Sequence, residues 1–321
     1  MVFHYIRISE ITIIIFLFIS CKIKKTDDFD ILLADPTILN DNANYYLYGT
    51  TSGGAGETND GFLVYESDDL YNWKPKGFAL KKGDAYGDQG FWAPHVFKNG
   101  EKYYMVYTAN EKIAIAFSDS PLGPFTNDVK KPYFTDVKQL DPFIFFDGSK
   151  PFLYHTRRVK QGNEIFVCEL STDLKSIKEE TLQKCITTDQ TWEDLDEIEP
   201  TSNQGPSVIK INDIYYMFYS ANNFRSPKYA VGLARSLSPM GPWVKFDQNP
   251  ILDSKLIIQN GPGHGDIFYD KDKKLNFVFH THFAKNKIVP RKTAIISCSF
   301  NNDIEKINFS PETFRFLIYS R

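Results

Sequence analysis

The chain has 321 residues, with 37 Lys and Arg against 40 Asp and Glu, a formal net charge of −3, and an aromatic content of 15%. This is long enough for one large domain or two medium ones around a sizeable buried core. The charges are interspersed without a long single-sign run, so nothing points to nucleic acid as a partner, and the wealth of Phe and Tyr suits strands more than helices.

Residues 1–21 stand apart: Arg7 lies near the start, Ile11 to Ser20 is almost wholly apolar, and Cys21 follows. The apolar run is short for a membrane span and reads as an export signal. Leu17-Phe18-Ile19-Ser20-Cys21 is similar to a bacterial lipobox, in which Cys21 is lipidated and becomes the mature N-terminus. The expectation is an exported cell-envelope lipoprotein on the periplasmic or outer-surface face, touching the membrane only through that lipid. A cleaved soluble signal is the next reading and a membrane anchor the last. Residues 22–30 then form a tether and 31–321 a single domain. Cys168, Cys185 and Cys298 remain, with no metal-type spacing; Cys168 and Cys185 either pair or stay buried thiols.

Asp35-Pro36-Thr37-Ile38 opens a pattern that returns at Ala93-Pro94-His95-Val96, Asp141-Pro142-Phe143-Ile144, Gly205-Pro206-Ser207-Val208 and Gly261-Pro262-Gly263-His264. Nine positions after four of these prolines stand Tyr45, Tyr103, Pro151 and Tyr215, each opening an apolar segment. The tyrosines recur at one strand position, as core residues do. Further segments such as Phe62–Tyr65, Ile113–Ala116, Ile165–Val167, Tyr229–Gly232 and Thr293–Ile296 are short and rich in β-branched and aromatic residues. They read as strands. Asn99-Gly100 and Asn212-Asp213 stand where hairpins would turn. Ser120-Pro121-Leu122-Gly123-Pro124-Phe125 and Ser238-Pro239-Met240-Gly241-Pro242-Trp243 are near-copies at matching places.

Five repeats of roughly fifty residues, each with three or four strands and no helical period, predict an all-β five-bladed β-propeller in a single domain. In that geometry the first strand of each blade lines a central channel. The residues before the five prolines therefore gather at one mouth. Asp35 and Asp141 occupy equivalent places there, with Trp92-Ala93, Gln204-Gly205 and Asn260-Gly261 in the other units. Either Asp alone is a common turn opener; two at one blade position point to chemistry.

Together, Ala34-Asp35-Pro36, Trp92-Ala93-Pro94-His95, Leu140-Asp141-Pro142, Gly205-Pro206-Ser207-Val208 and Gly261-Pro262-Gly263-His264, with Ser118–Phe125, resemble glycoside hydrolase family 43 from about Leu32 to the C-terminus. The resemblance implies an inverting glycosidase that removes α-L-arabinofuranosyl or β-D-xylosyl units from plant-type oligosaccharides or polysaccharides. Asp35 would be the general base that activates water, and Asp141 would orient the acid and tune its pKa. Inversion needs two carboxyls roughly 6.5–9.5 Å apart with a water between base and anomeric carbon. The family's general acid is a Glu at the place held here by Gln204, and an amide cannot deliver a proton. Three readings stay open: a hydrolase impaired or specialised for substrates needing little acid help, recruitment of Glu197 or Glu199, or a non-catalytic glycan-binding propeller.

Other residues fit a sugar site. Phe91 and Trp92 are either sugar-stacking faces or core aromatics. His264 resembles the family's central histidine, which implies an optional structural calcium in the channel or a satisfied structural imidazole, with no cofactor required; calcium takes mainly oxygen ligands. Arg291 matches a family arginine that reaches the site, and Arg157, Phe224 and Arg225 are rim candidates. No phosphate loop, Ser-His-Asp spacing or paired Cys motif is present, so nucleotide and serine-nucleophile chemistry have no support.

Overall fold

The computed structural model describes residues 28–51, 59–160, 162–196, 201–301 and 306–320. The signal segment with Cys21, and the loop acids Glu197 and Glu199, lie outside the described residues. The described chain is all-β with almost no helix. Strand β1 (Asp28–Asp30) is followed by an antiparallel sheet of β2 (Leu33–Asp41), β3 (Asn44–Thr51), β4 (Gly61–Ser67) and β5 (Lys74–Lys81). Next come β6 (Trp92–Asn99), β7 (Lys102–Ala109) and β8 (Lys112–Ser118), then β9 (Gln139–Asp147), β10 (Lys150–Arg158), β11 (Gly162–Glu169) and β12 (Gln183–Ile186). The fourth unit is β13 (Thr201–Ile211), β14 (Ile214–Ala221), β15 (Ala230–Ser236) and β16 (Val244–Lys245). Its edge is stitched to the third by a short parallel pairing of Gly162 and Asn163 with Thr201 and Ser202. The fifth is β17 (Gly263–Tyr269), β18 (Leu275–Thr281), β19 (Lys292–Asn301) and β20 (Lys306–Phe316). Finally β21 (Ile318–Ser320) pairs with β1, tying the two ends of the described chain together.

The tight turns follow their residues. Asn212 and Asp213 sit at φ of 50° and 64° between β13 and β14, and Gly100 at 61° between β6 and β7, the left-handed conformations that two-residue hairpins demand. The near-copied segments make the same contacts: Tyr48 donates its hydroxyl to the Pro121 carbonyl and Tyr154 donates to that of Pro239. Each copy thus receives a tyrosine from the preceding unit. Tyr45, Tyr103 and Tyr215 are buried, as core residues should be.

Apolar side chains are buried chiefly between sheets. Tyr48, Phe62, Met105 and Tyr107 join units one and two; Val106, Ile144 and Leu153 join two and three; Tyr154, Val167, Met217 and Tyr219 join three and four; Phe218, Leu233, Phe277 and Ile296 join four and five. Leu33, Tyr45, Trp73, Val278 and Ile295 join the fifth unit back to the first. A fully buried Leu, Ile or Phe is worth about 1.5–3 kcal/mol relative to exposure, so each junction is a core in its own right. The first strands neighbour one another in the same cyclic order, β2 beside β6, β6 beside β9, β9 beside β13, β13 beside β17 and β17 beside β2.

Each first strand carries a bulge near its start. Ala34, Trp92, Leu140, Gln204 and Gly263 pair with Thr50, Thr108, Thr156, Ser220 and His280, and the register then slips. The bulged residues Asp35, Ala93, Asp141, Gly205 and His264 all have positive φ, between 44° and 62°. In four units a proline follows, where its missing N–H costs no ladder bond. This register corrects the fifth unit: its equivalent residues are Gly263-His264-Gly265-Asp266, three positions beyond Gly261-Pro262. Gly265 stands in the proline's place because a Cβ there would come within 2.1 Å of the Val278 carbonyl oxygen.

The cysteines within the described residues, Cys168, Cys185 and Cys298, are free thiols rather than a Cys168–Cys185 bridge.

Candidate active site

The bulges build the site. Each bulged residue offers its backbone N–H to a side chain of the second strand of the preceding unit: Ala93 to Thr50 Oγ1 at 2.8 Å, Asp141 to Thr108 Oγ1 at 3.1 Å, Gly205 to Thr156 Oγ1 at 3.4 Å and His264 to Ser220 Oγ at 2.8 Å. Asp35 completes the set by donating to His280 Nδ1 at 3.1 Å. These strained backbone positions are thereby held from outside their own strands. Asp35 and Asp141 each receive a further hydroxyl from their own unit, Thr50 Oγ1 at 2.7 Å and Thr156 Oγ1 at 2.9 Å.

Asp35 and Asp141 line one small cavity of about 20 Å³, together with Ala93, His95, His264 and Asp266. That is room for about one water molecule. The two acids are therefore brought together as expected. Asp35 Oδ1 accepts from Arg291 Nη1 at 3.0 Å and lies 3.3 Å from His264 Nδ1. Burial pushes the Asp35 carboxyl up, but Arg291, His264, His280 and the Thr50 hydroxyl override it, holding the pKa well below the ordinary carboxylate range. Asp141 moves the other way. Burial and the neighbouring Asp35 charge raise it, opposed by His264, Thr156 and the Gly205 N–H. Two carboxyls in one cavity thus have opposed proton affinities, a pattern typical of acid–base sites.

A second cavity, of about 370 Å³, is lined by Thr50, Thr51, Asn59, Trp92, Phe224, Arg225, Ile288, Val289 and Arg291. Thr50 and Arg291 belong both to this wall and to the Asp35 hydrogen bonds, so the larger cavity opens directly beside Asp35. Trp92, Phe224 and Arg291, three of the candidates from the sequence, all line this cavity. Phe224 lies under the Arg291 guanidinium at 5.0 Å from its ring centroid, and its carbonyl oxygen stands 2.9 Å from His282 Nε2. Thr51 Oγ1 and Asn59 Oδ1 are buried without a hydrogen-bond partner among the described residues, as groups that await a ligand hydroxyl would be.

Two expectations fail. Phe91 is core: it packs edge-on to Phe62 at 5.8 Å and stacks on Tyr107 at 6.2 Å. It precedes Trp92 in the chain, and only Trp92 faces the cavity. Arg157 lines neither cavity; its Nη2 is 2.9 Å from Asp136 Oδ2 and its guanidinium lies 5.8–6.0 Å from the rings of Phe166 and Phe134. Its neighbour Thr156 takes the inward direction, so the strand's alternation turns Arg157 away.

Gln204 is held on both ends. Its Oε1 accepts from Ser202 Oγ at 2.9 Å and its Nε2 donates to Tyr229 OH at 2.7 Å. Burial drives the Tyr229 phenol far above its ordinary value, with Gln204 opposing and the charges of Asp35 and Asp141 adding to the rise. The residue after Gln204 must be glycine: Gly205 has φ of 62°, and a Cβ there would sit 2.8 Å from the His264 ring. Thr50, Thr156, His280 and Tyr229 were not foreseen. The first two had a signal, each standing fifteen positions after an Asp of the repeat.

The donors around His264 do not suit a directly ligated calcium. Among the described residues no group of three or more His, Cys, Asp or Glu side chains could hold a metal ion. Both Asp266 oxygens are engaged by the Thr37 and Ser207 hydroxyls at 2.6 and 2.7 Å, where calcium needs six to eight oxygens.

A family model for glycosyl hydrolases family 43 matches residues 30–304. The chain belongs to this family. The crystal structure of an endo-1,4-beta-xylanase from Bacteroides thetaiotaomicron, also similar, is 39% identical with a TM-score of 0.84, covering 91% of this chain and 98% of that one. A xylosidase/arabinosidase of Humicola insolens is 28% identical over 298 residues, 84% of this chain but 52% of its own length. A beta-D-galactofuranosidase of Aspergillus niger is 24% identical over 297 residues, 85% of this chain and 81% of its own. The chain thus spans about half the length of the Humicola relative.

Proposed function

We propose that this chain is an inverting glycosidase that removes α-L-arabinofuranosyl or β-D-xylosyl units from plant-type oligosaccharides or polysaccharides, on a five-bladed β-propeller. The observation that carries it is the buried Asp35 carboxylate, held ionised by Arg291 and Thr50 beside a cavity of sugar-binding size and sharing a water-sized cavity with Asp141. The propeller reading is supported by the cyclic order of the first strands, the return of β21 to β1, and the five bulge hydrogen bonds that run from each unit to the next.

In this mechanism the sugar lies in the larger cavity against Trp92 and Phe224, with its hydroxyls meeting Thr51 and Asn59. Asp35 takes a proton from a water as the water attacks the anomeric carbon, and the departing oxygen must gain a proton elsewhere. Gln204 offers that oxygen a hydrogen bond but no proton. Leaving groups that depart as anions, such as nitrophenolate, are therefore favoured over sugar hydroxyls. Asp141, its own proton held more tightly than usual, shapes the field beside Asp35. No step requires a cofactor. Relatives named as enzymes support cleavage, and nothing supports the binding-only reading that Gln204 opened. The names of the relatives span xylan, arabinosyl and galactofuranosyl chemistry, so the pentose preference rests on the family resemblance.

The test compares the wild type, Asp35→Asn and Gln204→Glu on aryl pentosides and on natural oligosaccharides, with thermal melts to confirm folding. Aryl cleavage by the wild type and its loss in Asp35→Asn support the reading; a folded wild type inert on every glycoside would end it. We further propose export and lipidation at Cys21, for which Cys21→Ser should release the protein from membranes.

A further inference from the structure

The larger cavity is lined by two guanidiniums, and among the described residues only one of them has a carboxylate partner. Arg291 is buried and paired with Asp35. Arg225 is exposed at the same cavity, its guanidinium 4.4 Å from the centroid of the Phe224 ring that also faces Arg291. Its backbone N–H is bound by Asn223 Oδ1 at 3.0 Å, and the Ser226 N–H donates to the Asn223 carbonyl at 2.8 Å, so the turn that presents it is fixed. Among the described residues the Arg225 side chain makes no ion pair, and the other lining residues of that cavity, Arg291 apart, are uncharged.

A neutral sugar needs hydroxyl partners, and Thr51 and Asn59 supply them without a net charge. The spare charge of Arg225 calls for something else. A guanidinium stacked on an aromatic ring is a planar fork pre-set for a carboxylate, which it binds through two parallel hydrogen bonds. We propose that Arg225 makes this pocket selective for glycans carrying a carboxylate, a uronic acid unit next to the sugar that is cleaved. This rests on the glycosidase reading and adds the substrate's charge to it. The carboxylate sits at the rim, over Arg225, while the uncharged ring being cleaved lies deeper, against Trp92 and beside Asp35.

The probes are an oligosaccharide with a single uronic acid unit and the same oligosaccharide with that carboxyl reduced to the primary alcohol. Charge-assisted hydrogen bonds correspond to about ten- to a hundred-fold in affinity. Wild type should therefore prefer the acidic probe by at least about ten-fold in kcat/KM, and the preference should shrink as salt is raised. In Arg225→Gln the ratio should fall towards one, and in Arg225→Glu it should invert. A wild-type ratio near one, or an equal fall on both probes in Arg225→Gln, overturns the proposal, the second result meaning that Arg225 only shapes the pocket or meets hydroxyls. Thermal stabilisation by each probe, measured without turnover, separates the two levels of inference. If wild type cuts neither probe nor an aryl pentoside but is stabilised preferentially by the acidic probe, hydrolysis fails and carboxylate recognition stands. If it cuts the aryl pentoside and ignores the carboxylate, only the present proposal falls.

Discussion

Arg291 Nη1 lies 3.0 Å from Asp35 Oδ1 although 256 residues separate them in the chain, and both side chains are buried. Replacing Arg291 with Met removes the strongest influence opposing burial of the Asp35 charge. The Asp35 pKa should rise, moving the acid limb of the kcat/KM profile to higher pH. The linkage has a definite sign: because the folded pKa is depressed, Asp35 contributes stability that is present above its unfolded value of 3.8 and lost as pH falls through the lower folded one. In Arg291→Met this acid dependence should shrink and stability at neutral pH should drop by about 3–5 kcal/mol, the cost of leaving one buried partner alone. Urea unfolding between pH 2 and 7 reads the stability changes; an unshifted acid limb would refute the assignment of Asp35 as base.

Gln204→Glu puts a carboxyl where the amide now bridges Ser202 and Tyr229. Turnover of natural oligosaccharides should rise by about 10² or more, while aryl pentosides, which need little protonation, should change far less. The profile should also gain a basic limb, because the new carboxyl must be protonated to act. An equal effect on both substrate classes would show that position 204 does not serve the leaving group.

Asp266 carries a carboxyl pushed up to about 6 from 3.8 by burial, against the hydrogen bonds from Thr37, Ser207 and the Ile267 N–H. The folded protein therefore binds this proton more tightly than the unfolded chain does. Stability from this group is full below pH 3.8 and is lost as pH rises through 6, a change of about 2–3 kcal/mol. Asp266→Asn removes the charge, keeps one hydroxyl donating to its Oδ1 and turns the other contact round so that its Nδ2 donates, and it should flatten that part of the pH dependence. Denaturant midpoints at pH 4.5 and 7.5, compared between the two proteins, decide it.

Gly205→Ala places a Cβ at φ of 62° and 2.8 Å from the His264 ring. Strain at such a backbone position costs about 1–3 kcal/mol, and the ring that must shift lies beside Asp35. A lower melting temperature together with reduced kcat is expected. A stability loss with unchanged kcat would mean that His264 can move without disturbing Asp35.

The repeats, most strand positions and the pairing of Asp35 with Asp141 were legible because they are written in local residue order. The fifth unit was misread because Gly261-Pro262 imitates the dipeptide of the other units, whereas the bulge is defined by register and falls at His264-Gly265. Phe91 and Arg157 were misplaced for a related reason. Each adjoins the residue that faces the centre, Trp92 or Thr156, and sequence shows that neighbours alternate without showing which one points inward. His280 and Tyr229 left no local mark, because their roles exist only through partners brought from distant units.

The attachment of Asp35 to the last unit has a consequence for biosynthesis. Asp35 leaves the ribosome early, yet His264, His280 and Arg291, which fix its backbone and its charge, are translated more than two hundred residues later. A nascent or truncated chain ending before Arg291 would carry Asp35 without the groups that fix its backbone and hold its carboxylate in a buried cavity. Hydrolytic competence should therefore emerge only once translation of the C-terminal strands is complete.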